Sequence, residues 1–482
     1  MKKRSLKKNA ALNIVKQVCS ILFPMITFPY ASRVLGKYNY GKINFGLSII
    51  SYITLIAGLG ISNYAIREGS QIRNNRRKLQ KFCNEVFSIN VFSTVIAYLI
   101  LFILIFSWKK LNGYGMLLLI QSMTVIFTTI GADWINSIYE DYFYITIRYI
   151  ICQSIAVLLM LALVRTTDDY LMYALASVSS SVVANILNIF YIRKKYKIFL
   201  KFTLHLHLKA HLKPILILFG TLVASLIYIN SDITILGIIK DENEVGLYSV
   251  SSKIYTLVKQ VLNAMLVVAI PRISSEIATE SKNTVNKQLS EILSDLLIIV
   301  FPACVGLFAL SKNIVLLFSG NEYMGATSSL EILSIGLIFA TVACFFINVV
   351  MIPYRMEKKV LIATLISAIT NIVLNFILIP KWGQNAAALT TLLAEFIMMF
   401  MGIYYTYHTV KLKFKKSLWI GSLNGFLTFI ICFLVDKMRL SNVLSIICSF
   451  LLCVFACAVV VFISDREKFN SLVGGIITII KH

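Results

Sequence analysis

About fourteen apolar segments of roughly 20 residues each run from Ala11 to Ser464, and they decide the solvent of this chain. A bilayer core about 30 Å thick is crossed by roughly 20 apolar residues at about 1.5 Å rise per residue. The spacing predicts helices at roughly 11–32, 43–66, 82–107, 113–138, 142–164, 169–192, 213–239, 246–270, 286–309, 327–353, 358–379, 385–408, 416–436 and 440–464. The expected fold class is all-α and integral to a membrane, with about 14 transmembrane helices. Only 14% of the residues are charged, against about 25% in a soluble chain. That leaves almost nothing for a water-soluble domain.

An even number of crossings puts both termini on one side. That side carries Lys2, Lys3, Arg4, Lys7 and Lys8, then Arg67, Arg73, Arg76, Arg77, Lys78 and Lys81, then the run from Arg193 to Lys213. About 31 of the 46 Lys and Arg fall there and about 11 on the other side. The excess predicts that both termini face the cytoplasm. The net charge of +24 then reads as orientation and contact with anionic lipid head groups, with no nucleic-acid partner. The first apolar run is not expected to be a cleaved signal. It is too long, contains Lys16 and Gln17, and lacks a small-residue cleavage site before Pro24 and Pro29.

The nine cysteines lie mostly within helices without a C-x-x-C pattern, so neither a disulfide framework nor a metal site is expected. The stretch 193–213 contains His205, His207 and His211. It reads as an interfacial amphipathic linker, with Leu toward the membrane and His and Lys toward water. The tail, with Phe469, Leu472, Val473, Ile476 and Ile480, reads as a surface helix. On the outer side the longest loop is expected around Lys312–Ala326.

The chain repeats itself. V-L-G-K-Y-N-Y-G-K-I at 34–43 and I-L-G-I-I-K-D-E-N-E-V-G-L-Y at 235–248 both place L-G at one helix end and a second Gly at the next start. The offsets are 201 (Gly36 to Gly237) and 205 (Gly41 to Gly246). Six helices separate the copies, so both point the same way. This predicts a lobe at 1–200 (helices 1–6), a second at 201–410 (helices 7–12), an extra helix pair at 411–464 and an amphipathic cytoplasmic tail at 465–482. Two six-helix lobes around a central cavity permit alternating access.

Charged residues inside such helices cost about 2.5–3.5 kcal/mol each at mid-bilayer and need a reason. Lys259 and Lys253 lie in helix 8, Asp232 in helix 7, Asp295 in helix 9 and Glu395 near the centre of helix 12. Arg33 ends helix 1 outside; Lys16, Arg148 and Asp133 lie nearer the cytoplasmic ends. The candidate cationic site is Lys259, Lys253, Arg33 and Arg148, suited to a phosphate or pyrophosphate. Asp232 and Glu395 are candidates for binding a coupling ion, H+ or Na+. The competing expectation is structural pairing, Lys253 with Asp232 and Lys259 with Glu395. No Walker, G-x-S-x-G or H-E-x-x-H sequence occurs, so the chain is expected to be neither an ATPase nor an enzyme, with no catalytic residue, metal or cofactor.

F-P-Y-A-S-R-V-L-G at 28–36 with Y-N-Y-G at 38–41, V-G-L-Y-S-V-S-S-K-I at 245–254, and N-I-V-L-N-F-I-L-I-P-K-W-G at 371–383 leading to A-A-A-L-T-T at 386–391 resemble the polysaccharide transport family. These are the O-antigen and capsule repeat-unit flippases of the multidrug/oligosaccharidyl-lipid/polysaccharide exporter superfamily. Ala386 stands where the family pattern has Gly. The resemblance implies a lipid-linked oligosaccharide partner, usually on undecaprenyl pyrophosphate, moved from the cytoplasmic to the outer leaflet for surface polysaccharide assembly. It also implies polymerase and glycosyltransferase partners. The rival readings are a drug/cation antiporter and a peptidoglycan-precursor flippase of the same superfamily. From another class, the rivals are a membrane glycosyl polymerase, which the short outer loops oppose, and a structural scaffold.

Overall fold

The computed structural model describes residues 6–204, 206–466 and 468–470. Among them all regular structure is helical. The helices are α1 (Leu6–Gly58), α2 (Ile61–Ile72), α3 (Arg76–Ser107), α4 (Gly115–Gly131), α5 (Trp134–Ile138), α6 (Tyr142–Leu163), α7 (Tyr170–Lys195), α8 (Leu208–Ile239), α9 (Glu242–Thr279), α10 (Lys282–Ala309), α11 (Ser311–Ser319), α12 (Ala326–Cys344), α13 (Glu357–Thr406), α14 (Lys415–Lys437) and α15 (Asn442–Ser464). Among the described residues, ten stretches are long and apolar enough to cross a membrane. Large apolar side chains stay exposed along them, for example Phe106, Leu158, Phe190 and Phe455. That is stable only where the surroundings are themselves apolar.

The breaks between helices follow local chemistry. α1 changes direction at Gly36, whose φ of 70° lies where side chains are strained, so one stretch contains two of the expected helices. α13 contains another two, parted at Gly383. The second expected helix ends earlier than its apolar run, because Leu59 and Gly60 take positive φ and α2 starts afresh. The fourth likewise breaks at Ala132, φ 45°, with α5 following. The expected outer loop at 312–326 is largely helical, in α11 and a short 3-10 turn at Asn321–Tyr323. After α12 the chain widens into a π-helical segment, Phe345–Met351.

The chain divides into two compact units, Met1–Gly246 and Leu247–His482. In the first, α1 packs on α3, α4, α6 and α8, and α7 on α4 and α6. Its described core joins Tyr64 of α2, Leu79, Phe82, Cys83 and Val86 of α3, and Trp134 and Ile138 of α5. In the second, α12 packs on α13 and α10 on α14. Leu289, Leu293 and Leu296 of α10 meet Phe345, Phe346 and Val349 of the π segment there.

The duplication recurs in side chains that sequence inspection passed over. The segment after α7 is strapped along α3. Gln80, Asn84 and Ser88 accept from the backbone N–H groups of Phe199, Lys201 and Thr203 at 3.1, 3.1 and 2.9 Å. Four helical residues advance about 6 Å and two extended residues about 6.6 Å, so the two periods stay in step. In the second unit, Asn286 and Ser290 of α10 accept from the N–H groups of Lys411 and Lys413 at 3.2 and 3.0 Å. Asn286 and Ser290 lie 202 positions after Asn84 and Ser88, in step with the glycine offsets. Replacing Asn84 or Ser88 by Ala removes one such bond, worth about 1 kcal/mol. Faster protease cleavage at 197–204 in detergent is the expected result; an unchanged cleavage rate would show that the strap does not hold the segment.

The linker corrects one expectation. Leu204 and Leu208 are exposed, but Leu200 and Leu206 pack against the core of the first unit, and the histidines do not face water together. His211 is buried and both His207 and His211 contact Glu85. A buried carboxylate needs donors, and this requirement overrides the amphipathic pattern. His205 and the tail residues Leu472, Val473, Ile476 and Ile480 lie outside the described residues. Phe469 packs near Ile298, Ile420 and Val461. The tail start is tied by Lys416 to Asp465 and Lys468 to Asp295, both at 2.7 Å. The Lys416 ammonium holds the Asp465 carboxyl below its usual range, helped by the Lys468 backbone N–H.

Candidate functional site

In the second unit α9 and α13 bring a cation and an anion together inside the membrane helices. Lys259 Nζ lies 2.5 Å from Glu395 Oε1, and Tyr255 O–H donates to the same oxygen at 3.3 Å. The ammonium also lies 5.5 Å from the centre of the Tyr255 ring. Glu395 is buried, while the Lys259 side chain keeps 26% of its surface exposed. A buried carboxylate with two donors is satisfied, and the ammonium of the partly exposed Lys259 side chain carries more N–H donors than Glu395 takes. About two helical turns toward the other end of α9, Tyr248 shares a hydrogen bond with Thr391 at 3.0 Å. Lys253 stands half-buried between them.

In the first unit Arg148 of α6 is paired. Its Nη2 donates to Asp133 Oδ1 at 2.6 Å and its guanidinium lies 5.0 Å from the Tyr144 ring centre. The break at Ala132 makes this possible, because it turns Asp133 toward α6. Asn188 of α7 donates to the freed Gly131 carbonyl at 2.7 Å, and Asn136 donates to both Asp133 and Asn188. Nε and Nη1 of Arg148 are buried and make no hydrogen bond. Lys16 of α1 lies over Tyr149, one residue on. Arg33 is exposed on α1, three residues before the Gly36 kink, and Asp232 is buried in α8.

Two carboxylates escaped the sequence analysis. Asp141 is buried and accepts from Tyr191 and Tyr196 at 2.7 and 2.8 Å, and from the Lys195 ammonium. Tyr139 stacks on Tyr196, and Tyr144 on Tyr191. Glu85 is the other. The three closely spaced histidines were its only sequence signal. None of these groupings sets a nucleophile beside a base; they hold charge in an apolar setting.

The comparisons with known proteins fit that chemistry. A family model described as "Polysaccharide biosynthesis protein" matches residues 6–277. The chain belongs to this family. A relative named "Putative O-antigen transporter", from Escherichia coli (strain K12), is 23% identical over 410 residues, 82% of this chain and 94% of that protein. A Haloferax volcanii protein named "Probable low-salt glycan biosynthesis flippase Agl15" is 25% identical over 186 residues, 39% of each chain. Among solved structures, "Lipid II flippase MurJ, inward closed conformation" superposes with a TM-score of 0.79 at 18% identity, covering 95% of this chain and 99% of that one. An inward-facing multidrug resistance MATE family transporter of the MOP superfamily gives 0.58 at 13% identity, covering 80% and 97%. This polysaccharide biosynthesis family member thus shares the fold of these solved membrane proteins, and the relatives named here are called transporters or flippases.

Proposed function

We propose that the chain moves an oligosaccharide linked to undecaprenyl pyrophosphate from the cytoplasmic to the outer leaflet of a bacterial cytoplasmic membrane. It does so by alternating access, for the assembly of a surface polysaccharide. Both termini face the cytoplasm, as the excess of Lys and Arg on their side supports. The family match and the nearly full-length likeness to a protein named as an O-antigen transporter support the substrate class. Glycosyltransferases and a polymerase supply and consume that substrate. H+ or Na+ is the coupling ion.

One observation carries the head-group chemistry. A pyrophosphate cannot enter the bilayer core without neutralising partners. Lys259 places an ammonium on a partly exposed side chain within a membrane helix, paired with Glu395, which also accepts from Tyr255. The ammonium receives the pyrophosphate, and Glu395 is its partner between cycles. The likeness to the lipid II flippase concerns the fold, and a peptidoglycan precursor would use the same head-group chemistry. The Lys259→Ala variant loses a charge-assisted contact of about 1.5–3 kcal/mol, a fall of about 10- to 100-fold in export per molecule. Surface polysaccharide measured at matched protein level checks it, and normal export in that variant ends the assignment. Sugar analysis of the lipid-linked material that accumulates on depletion separates a repeat unit from a peptidoglycan precursor.

A further inference from the structure

The second unit serves as a control for the first. α10 fastens its linker with Asn286 and Ser290, and the position 202 residues after Glu85 is Lys287. Strapping therefore does not require a carboxylate there. The first unit has one, and builds a cluster on it. His211 Nε2 lies 2.9 Å from Glu85 Oε2, and His207 Nδ1 lies 3.2 and 3.1 Å from its two oxygens. The backbone N–H of His207 reaches Oε2 at 3.4 Å. On its far side, His211 Nδ1 is 2.7 Å from the Tyr64 hydroxyl.

We propose that Glu85, His207 and His211 form a proton-binding site at the head of α8, and that its occupancy decides how firmly the linker is strapped to α3. Histidine is the side chain whose charge ordinarily changes between about pH 5 and 8. An ionised carboxylate only accepts, so each imidazole nitrogen on Glu85 carries hydrogen. In neutral His211 the other nitrogen, Nδ1, accepts from Tyr64 O–H. A proton taken from water onto either ring converts a neutral contact into an imidazolium–carboxylate pair, which is stronger. On His211 it also turns Nδ1 into a donor, so the Tyr64 hydroxyl must rotate to accept. The proton returns to water when the ring is neutralised.

The surroundings suit an exchangeable proton. His207 is 63% exposed, and Glu85 and His211 lie behind it at 5% and 9%. Phe82 and Tyr64 flank the His211 ring. Among the described residues, charged groups near the cluster include Lys81, whose Nζ is 3.9 Å from Glu85, and the neighbouring pair Arg67 and Glu68 on α2, bonded to each other at 2.9 Å. Among the described residues no three His, Cys, Asp or Glu are arranged to hold a metal ion. That it comes from the cytoplasm rests on the orientation proposed above; the site itself does not.

The test is hydrogen exchange by mass spectrometry on the full chain in lipid nanodiscs, from about pH 5.5 to 8. The strap at 407–415 serves as internal reference after correction for intrinsic exchange. Protection at 198–207 is expected to fall about tenfold as pH rises through that range, while the reference stays level. His207→Gln with His211→Gln should abolish the difference. The exposed single variant His207→Gln should weaken it without disturbing folding. Equal responses of the two straps in the wild type, or an undiminished response in His207→Gln, would overturn the site. Because export is not read, failure here leaves the transport assignment standing, and failure of transport leaves this site standing.

Discussion

Valine at Gly41 is expected to lower the thermal unfolding midpoint of the detergent-solubilised protein sharply and to reduce its accumulation in the membrane. A Cβ at Gly41 would collide with the Glu242 carbonyl oxygen and the Gly246 backbone N, and one at Gly246 with the Lys37 carbonyl. These are backbone atoms of two helix starts, so no side chain can swing aside. Overpacking typically costs about 1–3 kcal/mol, and a collision with backbone on both sides belongs at the upper end. The contact is braced by Tyr114 O–H to Glu242 Oε1 at 2.7 Å and Lys110 Nζ to the Lys240 carbonyl at 2.8 Å. Gly58, with nothing near its Cβ position, is the control. If Gly41→Val unfolds at the same temperature as Gly58→Val, the close approach does not matter.

Asparagine at Asp133 is the second large effect. It leaves the Arg148 guanidinium, only 7% exposed, without its carboxylate. Breaking a fully buried pair costs about 3–5 kcal/mol. Asp133 is 38% exposed, so the loss should lie nearer the 1.5–3 kcal/mol of a charged hydrogen bond. Asp133→Asn combined with Arg148→Leu should recover much of that loss, because no unpaired charge remains. Thermal midpoints of the two single variants and the double variant decide it. A double variant no more stable than Asp133→Asn would show that the pair is not what Asp133 contributes.

These two sites also show what could be read in advance. Gly41 and Gly246 stood out as repeated letters, since a duplicated hairpin leaves a duplicated spacing. The letters did not say that the two copies touch, because a contact over two hundred residues has no local signature. Lys259 and Glu395 were legible for a different reason. A charge in an apolar run is conspicuous, and the pairing was a natural expectation. Asp133 and Arg148 were each visible, but the break at Ala132 that joins them was not, since nothing in G-A-D-W forces an alanine into positive φ. Tertiary bonding from Asn188 and Asn136 makes that break affordable. Glu85 and Asp141 were hidden because a carboxylate near a basic helix end looks like ordinary surface.

The matched fastenings on α3 and α10 carry a mechanical consequence. The polypeptide leaving residue 204 is not a slack tether hung from the end of α7. Its last firm grip is on α3, so any pull arriving from α8 is borne by the third helix, and the same holds for α10 at residue 413. Each copy thus brings its own leash, secured at an equivalent rung.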